Sequence, residues 1–179
     1  MKKVLFIDIG GVLVLRNQKP IIDHLLLIKE FRKTAYLGGK ITLEEFLVNK
    51  GLNKDKIKCI VEGQNKVWGS EILNEKLISF LLLNKAKYRY ILLTNNFKDV
   101  EVPLTKLNTP RFYEFIVNSA EVGYVKPDLR IYEYAVKRSG EEKENCILID
   151  DNIENIKGAI DFGIKGIHYK NINSLKELS

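Results

Sequence analysis

FIDIGGVLVL, residues 6–15, joins an apolar run to a carboxylate, Asp8, and then to the glycine pair Gly10–Gly11. An apolar run bounded by turn signals reads as a buried strand, and the glycines end it in a sharp turn. A charged group at the tip of a buried strand needs a reason. Other stretches share the form. YILLT (90–94) ends at Thr94 and is followed by Asn95 and Asn96, CILI (146–149) runs into Asp150, and IKGIHY (164–169) and the shorter FIVN (115–118) complete the set. Continuous apolar strands separated by helical patterns predict an α/β fold: a Rossmann-like parallel sheet with helices on both faces.

The helices follow from their periodicity. Pro127 suits the first turn of a helix whose core face is Ile131, Tyr132, Ala135 and Val136. Asn152 caps a helix carrying Ile153, Ile156 and Ile160. Residues 16–88, far more than one crossover needs, read as all-helical. Pro20 opens a helix with Ile21, Leu25 and Ile28 on one face and Ile22 and Leu26 beside it. Thr42 and Glu45 form a capping box, with Ile41 and Phe46 as its hydrophobic staple. A third helix, from about Asn53 to Trp68, turns Ile57, Ile60, Val61 and Gln64 inward, and a fourth, capped by Ser70 or Asn74, runs through Leu77 and Leu81. The expected organisation is an α/β core of residues 1–15 and 89–179, with a small all-helical cap of residues 16–88 inserted after the first strand.

Bulk properties exclude several classes. With 179 residues, 45% of them hydrophobic and 29% charged, the chain can build one sizeable core plus a small module. No apolar run approaches the ~20 residues that span a bilayer. Asp8 interrupts the apolar run after Lys2 and Lys3 and no small-residue cleavage site follows, so this start is not read as a signal peptide and a cytoplasmic location is expected. Two cysteines, Cys59 and Cys146, make no disulfide framework or metal-ligand spacing. The net charge of +6 favours anionic partners, but the lysines are scattered and no recognition motif accompanies them, so nucleic acid is not the expected partner.

In an open parallel sheet, ligands bind beyond the carboxyl ends of the strands. Asp8, Thr94 and Asp150 all fall at such ends, and Lys126, just ahead of Pro127, faces the same edge. Taken singly each has a plain reading: a turn-capping Asp, a strand-end hydroxyl, a solvated Lys, an Asp150–Asp151 pair that caps its helix. Together they match the needs of phosphoryl transfer. A phosphate monoester repels a carboxylate nucleophile, so positive charge must sit between them. Mg²⁺ held by Asp8 and Asp150 supplies it, Lys126 adds a second positive charge, and the Thr94 hydroxyl and the backbone N–H groups after it donate to the phosphoryl oxygens. Asp8 would then attack phosphorus and form an aspartyl-phosphate that water hydrolyses.

These four stretches make the chain resemble the haloacid dehalogenase-type hydrolases along essentially its whole length. FIDIGGVLVL resembles the first motif of that family, ILLTNN the second, GYVKPDLRIY the third and LIDDNIENIKGAIDFGI the fourth. The insertion at 16–88 resembles the cap that follows the first motif in one large subfamily. The resemblance implies Asp8 as nucleophile with Lys126 beside it, and Thr94, Asn95 and Lys126 on the phosphate. It also implies Asp8, the Gly10 carbonyl, Asp150 and Asp151 around Mg²⁺. The local wording is nearest to the sugar-phosphate phosphatases that read D-x-G in the first motif, and the implied partner is a small phosphorylated metabolite.

Gly10 is the departure. Most phosphatases of the family carry an Asp there as general acid and base, help worth roughly 10²–10⁴-fold. Three readings follow: a modest phosphatase whose substrate or cap handles the proton, a protein that binds phosphorylated ligands without turnover, and a carbon–halogen hydrolase, which needs no acid but has no use for the metal that Asp150–Asp151 is suited to hold. His24, His168, Trp68 and Asp99 read as packing or surface residues, and Arg16 and Asn17 as a hinge.

Overall fold

The computed structural model describes residues 2–16, 25–36, 38, 41–97 and 100–178. The readings of Asn17, Pro20, Ile21, Ile22, His24 and Asp99 lie outside the described residues, as do the side chains of Arg16, Leu25 and Trp68. The strands are β1 (Lys3–Ile7), β2 (Val14–Arg16), β3 (Glu71–Leu73), β4 (Tyr88–Thr94), β5 (Ile116–Asn118), β6 (Cys146–Asp150) and β7 (Lys165–His168). The α-helices are α1 (Leu25–Tyr36), α2 (Leu43–Asn49), α3 (Lys54–Gly69), α4 (Glu75–Leu83), α5 (Glu101–Lys106), α6 (Ser119–Val122), α7 (Leu129–Ser139) and α8 (Ile153–Phe162).

Five strands form one parallel sheet in the order β5–β4–β1–β6–β7. Successive side chains of a strand face opposite sides, and β1 uses this fully. Leu5 and Ile7 join the cluster under α4 and α5, while Val4 and Phe6 join the cluster under α7 and α8. Burying a side chain such as Phe6 contributes about 1.5–3 kcal/mol. The chain leaves β1 toward β4 and β5, then crosses to β6 and β7. Connections from β1 and β6 therefore diverge, and a crevice opens between their carboxyl ends. Among the described residues, no helix is long and apolar enough to cross a membrane.

α1, α2 and α3 enclose a separate cluster around Ile28, Phe31, Phe46, Leu47, Ile57 and Ile60. The capping box forms as its sequence requires: the Thr42 hydroxyl accepts from the Glu45 N–H at 3.1 Å, and the Glu45 carboxylate accepts from the Thr42 N–H at 2.8 Å. Leu77, Ile78 and Leu81 of α4, in contrast, pack with the sheet.

Three expectations are corrected. The insertion is not wholly helical, because β3 pairs antiparallel with β2 and ties the end of α3 to the loop after Asp8. Leu26 is 79% exposed, so the inward face of α1 is set by Ile28, Phe31 and Ala35 instead. Pro127 precedes its helix: Asp128 is the N-cap, its carboxylate accepting from the Arg130 N–H at 3.0 Å. Along α8, Ile153 and Ile160 are exposed, and Asn155, Ile156, Gly158 and Ala159 turn inward. Gly158 is required there, since a β-carbon would come within 2.7 Å of Pro127. Its absence lets α8 close on the segment that carries Lys126.

Candidate active site

Asp8 is the first residue beyond β1, and its N–H still donates to the Ile149 carbonyl of β6 at 2.9 Å. The chain then folds into a tight loop. Val14 N–H donates to Ile9 at 2.7 Å and Gly11 N–H to Val14 at 2.8 Å. The buried Asn74 supports this loop, donating from Nδ2 to the Val12 carbonyl at 2.8 Å while its Oδ1 caps α4. Gly11 has φ +85°, and a β-carbon on it would collide with the Asp151 carboxylate. A side chain at residue 11 would displace the Asp151 carboxylate from its present place.

Lys126 arrives from the segment between α6 and α7, and its side chain is sealed from solvent. An ammonium has three donors, and three acceptors surround this one. They are the Leu93 carbonyl at 2.7 Å, Asp150 Oδ2 at 2.6 Å and Asp8 Oδ1 at 3.0 Å. Burial alone would pull the Lys126 pKa down, but the carboxylates of Asp8 and Asp150 outweigh it and hold the ammonium above its ordinary value. For Asp8 burial wins. Desolvation, helped by the charges of Asp150 and Asp151 and opposed by Lys126, pushes its carboxyl up to about 6.

Asp150, the last residue of β6, is fully buried and receives four hydrogen bonds. Asn152 N–H reaches Oδ1 at 2.9 Å, Lys126 reaches Oδ2, and the Asn155 amide donates to both oxygens at 3.0 and 3.1 Å. Asp151 next to it is exposed, and His168 Nε2 lies 3.0 Å from its carbonyl.

The structure therefore brings Asp8, Lys126, Asp150 and Asp151 together, with Gly10 in the loop two residues beyond Asp8. Thr94, buried at the end of β4, follows directly on Leu93, whose carbonyl holds Lys126. Asn95 is placed differently from a simple ligand contact. Its amide is committed to Lys126, donating to the Lys126 carbonyl at 2.9 Å and accepting from the Lys126 N–H at 2.8 Å. Its backbone N–H and the second hydrogen of its amide remain for the expected phosphate contact. Asn155 was not singled out by the sequence reading. Its signal is an amide on the inward face of a helix, five residues past a strand-terminal Asp.

Carboxylate oxygens of Asp8, Asp150 and Asp151 all lie within 4.8 Å of one another. Three hard oxygen donors carrying negative charge fit a divalent cation such as Mg²⁺, which binds carboxylates and retains waters.

The chain is similar to known proteins. The family model described as haloacid dehalogenase-like hydrolase matches residues 2–163. The glyceraldehyde 3-phosphate phosphatase of Methanothermobacter thermautotrophicus is 35% identical over 65 residues, 36% of this chain and 29% of that protein. The flavin mononucleotide hydrolase 1 of Arabidopsis thaliana is 27% identical over 158 residues, 87% of this chain and 62% of that protein. The chain spans less than two thirds of either relative. A HAD-family enzyme of Bacteroides thetaiotaomicron, solved with magnesium and inorganic phosphate, superposes with a TM-score of 0.72 at 22% identity, covering 99% of both chains.

Proposed function

The chain belongs to the haloacid dehalogenase-like hydrolases, and from that premise we propose that it is a Mg²⁺-dependent phosphomonoester hydrolase acting on a small phosphorylated metabolite. The observation that carries this reading is the Lys126 ammonium lodged between Asp8 and Asp150, with Asp151 completing the carboxylate cluster. A carboxylate that attacks a phosphate dianion needs positive charge directly beside it.

Asp8 attacks phosphorus, the P–O bond to the alcohol breaks, and an aspartyl-phosphate forms on Asp8 for water to hydrolyse. Lys126 neutralises the nucleophile and the incoming phosphoryl oxygens. The Thr94 hydroxyl and the backbone N–H groups that follow it, Asn95 included, donate to those oxygens. Asp8, Asp150, Asp151 and the Gly10 carbonyl would hold Mg²⁺, which supplies the remaining charge neutralisation for a phosphate dianion. Gly10 offers no proton, so the leaving alkoxide takes its proton from water or from the substrate. Activated leaving groups are therefore favoured. The part of the insertion that carries α1, α2 and α3 forms the cap and selects the substrate.

Phosphate release from an aryl phosphate and a sugar-phosphate panel, with and without Mg²⁺, tests the reading. Turnover that needs Mg²⁺ and disappears in Asp8→Asn supports it, and an Asp8→Asn variant that loses nothing overturns it. Binding of phosphorylated ligands without phosphate release would favour a non-hydrolytic role, the reading Gly10 itself suggests.

A further inference from the structure

Asn74 holds the loop that follows Asp8 from outside. It is buried, and it stands where the chain returns from the insertion to α4. Its backbone N–H donates to the Leu13 carbonyl at 2.9 Å, and its Nδ2 to the Val12 carbonyl at 2.8 Å. Within the loop, Val14 N–H takes the Ile9 carbonyl and Gly11 N–H takes that of Val14. The carbonyls of Ile9, Val12, Leu13 and Val14 are therefore committed, and that of Gly10 is not among them.

A primary amide has a second N–H to place. That of Asn74 goes to the Tyr169 hydroxyl oxygen at 2.8 Å, across 95 positions of sequence. The orientation is fixed by the partners. A carbonyl such as that of Val12 only accepts, and Asn74 Oδ1 accepts from the Leu77 N–H at 3.3 Å, so Nδ2 is the donor to both Val12 and Tyr169. Tyr169, buried just past β7, donates from its own backbone N–H to the Asp150 carbonyl at 2.8 Å. Its main chain is thus tied to Asp150, and its side chain, through Asn74, to the loop of Gly10. Val12, Leu13, Leu77 and Tyr169 share one apolar cluster. There a polar group that loses its partner has no water to replace it, and the loss is costly.

We propose that Tyr169 and Asn74 are positioning residues for the Mg²⁺ site, a strut that holds the Gly10 loop in register with the Asp150 strand end. This rests on the metal set of the phosphatase reading, in which Asp8 and the Gly10 carbonyl lie on one side of the crevice and Asp150 and Asp151 on the other. Mg²⁺ tolerates little distortion of its ligands. A loop held by few bonds opens locally, so the side-chain bonds of Asn74 decide how well that set is kept. The strut acts through backbone and not on the reacting groups: its bonds go to the carbonyls of Val12, Leu13 and Asp150.

The test is calorimetric titration of the full-length protein with Mg²⁺. Tyr169→Phe removes only the hydroxyl and is expected to weaken Mg²⁺ binding about tenfold, the lower end for groups that support a metal ligand. Tyr88→Phe is the control. It also removes a hydroxyl, one that donates to the Leu178 carbonyl at 3.1 Å from the first residue of β4, at the opposite end of the sheet. It is expected to lower the melting temperature and leave Mg²⁺ affinity unchanged. Asn74→Ser keeps an oxygen to cap α4 but loses both amide donors, so it is expected to weaken Mg²⁺ at least as much as Tyr169→Phe. Adding Tyr169→Phe to it should cost nothing more, because the hydroxyl has already lost its partner. If Tyr169→Phe does not fold, Asn74→Ser against the same control decides. Unchanged affinity in either strut variant, an equal loss in Tyr88→Phe, or a full further loss in the double variant overturns the proposal. A wild type that binds Mg²⁺ and follows these expectations without releasing phosphate fails the phosphatase reading alone, and the strut stands. A wild type that binds no Mg²⁺ overturns both.

Discussion

Asn95 and Lys126 grip each other through two reciprocal hydrogen bonds, amide to backbone, so that the residue after the Thr94 strand end fixes the backbone of the buried lysine. Lys126 is aimed at Asp8 and Asp150 by this clasp as much as by its own charge. Asn95→Ala is therefore expected to lower kcat about 10²-fold, the scale of a small misplacement at a reacting centre, with a smaller change in KM. Steady-state kinetics on an aryl phosphate would check this, and a loss confined to KM would show that Asn95 acts on the ligand directly.

The raised pKa of Asp8 makes a statement about stability. Its folded value is about 6 against an ordinary 3.8, so below about pH 4 the group costs nothing. As pH rises from about 4 to about 6, the unfolded chain releases this proton more readily than the folded one, and stability falls; above about 6 the loss is complete. Denaturation of the metal-free protein across this range should show that decline. In Asp8→Asn it should vanish, with the variant more stable than wild type at pH 8 and inactive. Added Mg²⁺ should raise the wild-type melting temperature more at pH 8 than at pH 5, because only the folded, ionised site binds it.

Gly11 and Asp151 share a space that admits no β-carbon. Gly11→Ala also places a side chain at φ +85°, a conformation that costs an L-residue about 1–2 kcal/mol. The melting temperature should fall, and Mg²⁺ affinity measured by titration should weaken at least about tenfold as Asp151 is displaced. Unchanged affinity would remove Asp151 from the set of ligands.

Gly10→Asp restores a carboxylate two residues after the nucleophile. It is expected to raise turnover on alkyl phosphates by up to roughly 10²-fold, the lower end for general acid–base help, and far less on aryl phosphates, whose leaving groups need little proton. No gain on either would mean that the proton is already supplied elsewhere.

What the sequence made legible follows from the physics of a parallel sheet. Strands buried on both faces read as unbroken apolar runs, so YILLT and CILI announced both themselves and the polar residues at their ends. The meeting of Asp8, Lys126 and Asp150 followed from topology. β2 and β3 escaped notice because three residues are too few for a period, and their pairing spans the whole insertion. Asn155 and the Asn95 clasp escaped because hydrogen bonds between side chains and distant backbone leave no periodic trace.

The ammonium of Lys126 has a consequence for how the enzyme matures. With a fixed cation already wedged between Asp8 and Asp150, two acidic strand tips can assemble without waiting for an ion from solution. The chain is thus expected to fold before any metal is bound, unlike small modules whose metal is the keystone of folding. Refolding rates should therefore be indifferent to chelators even where catalysis is abolished by them.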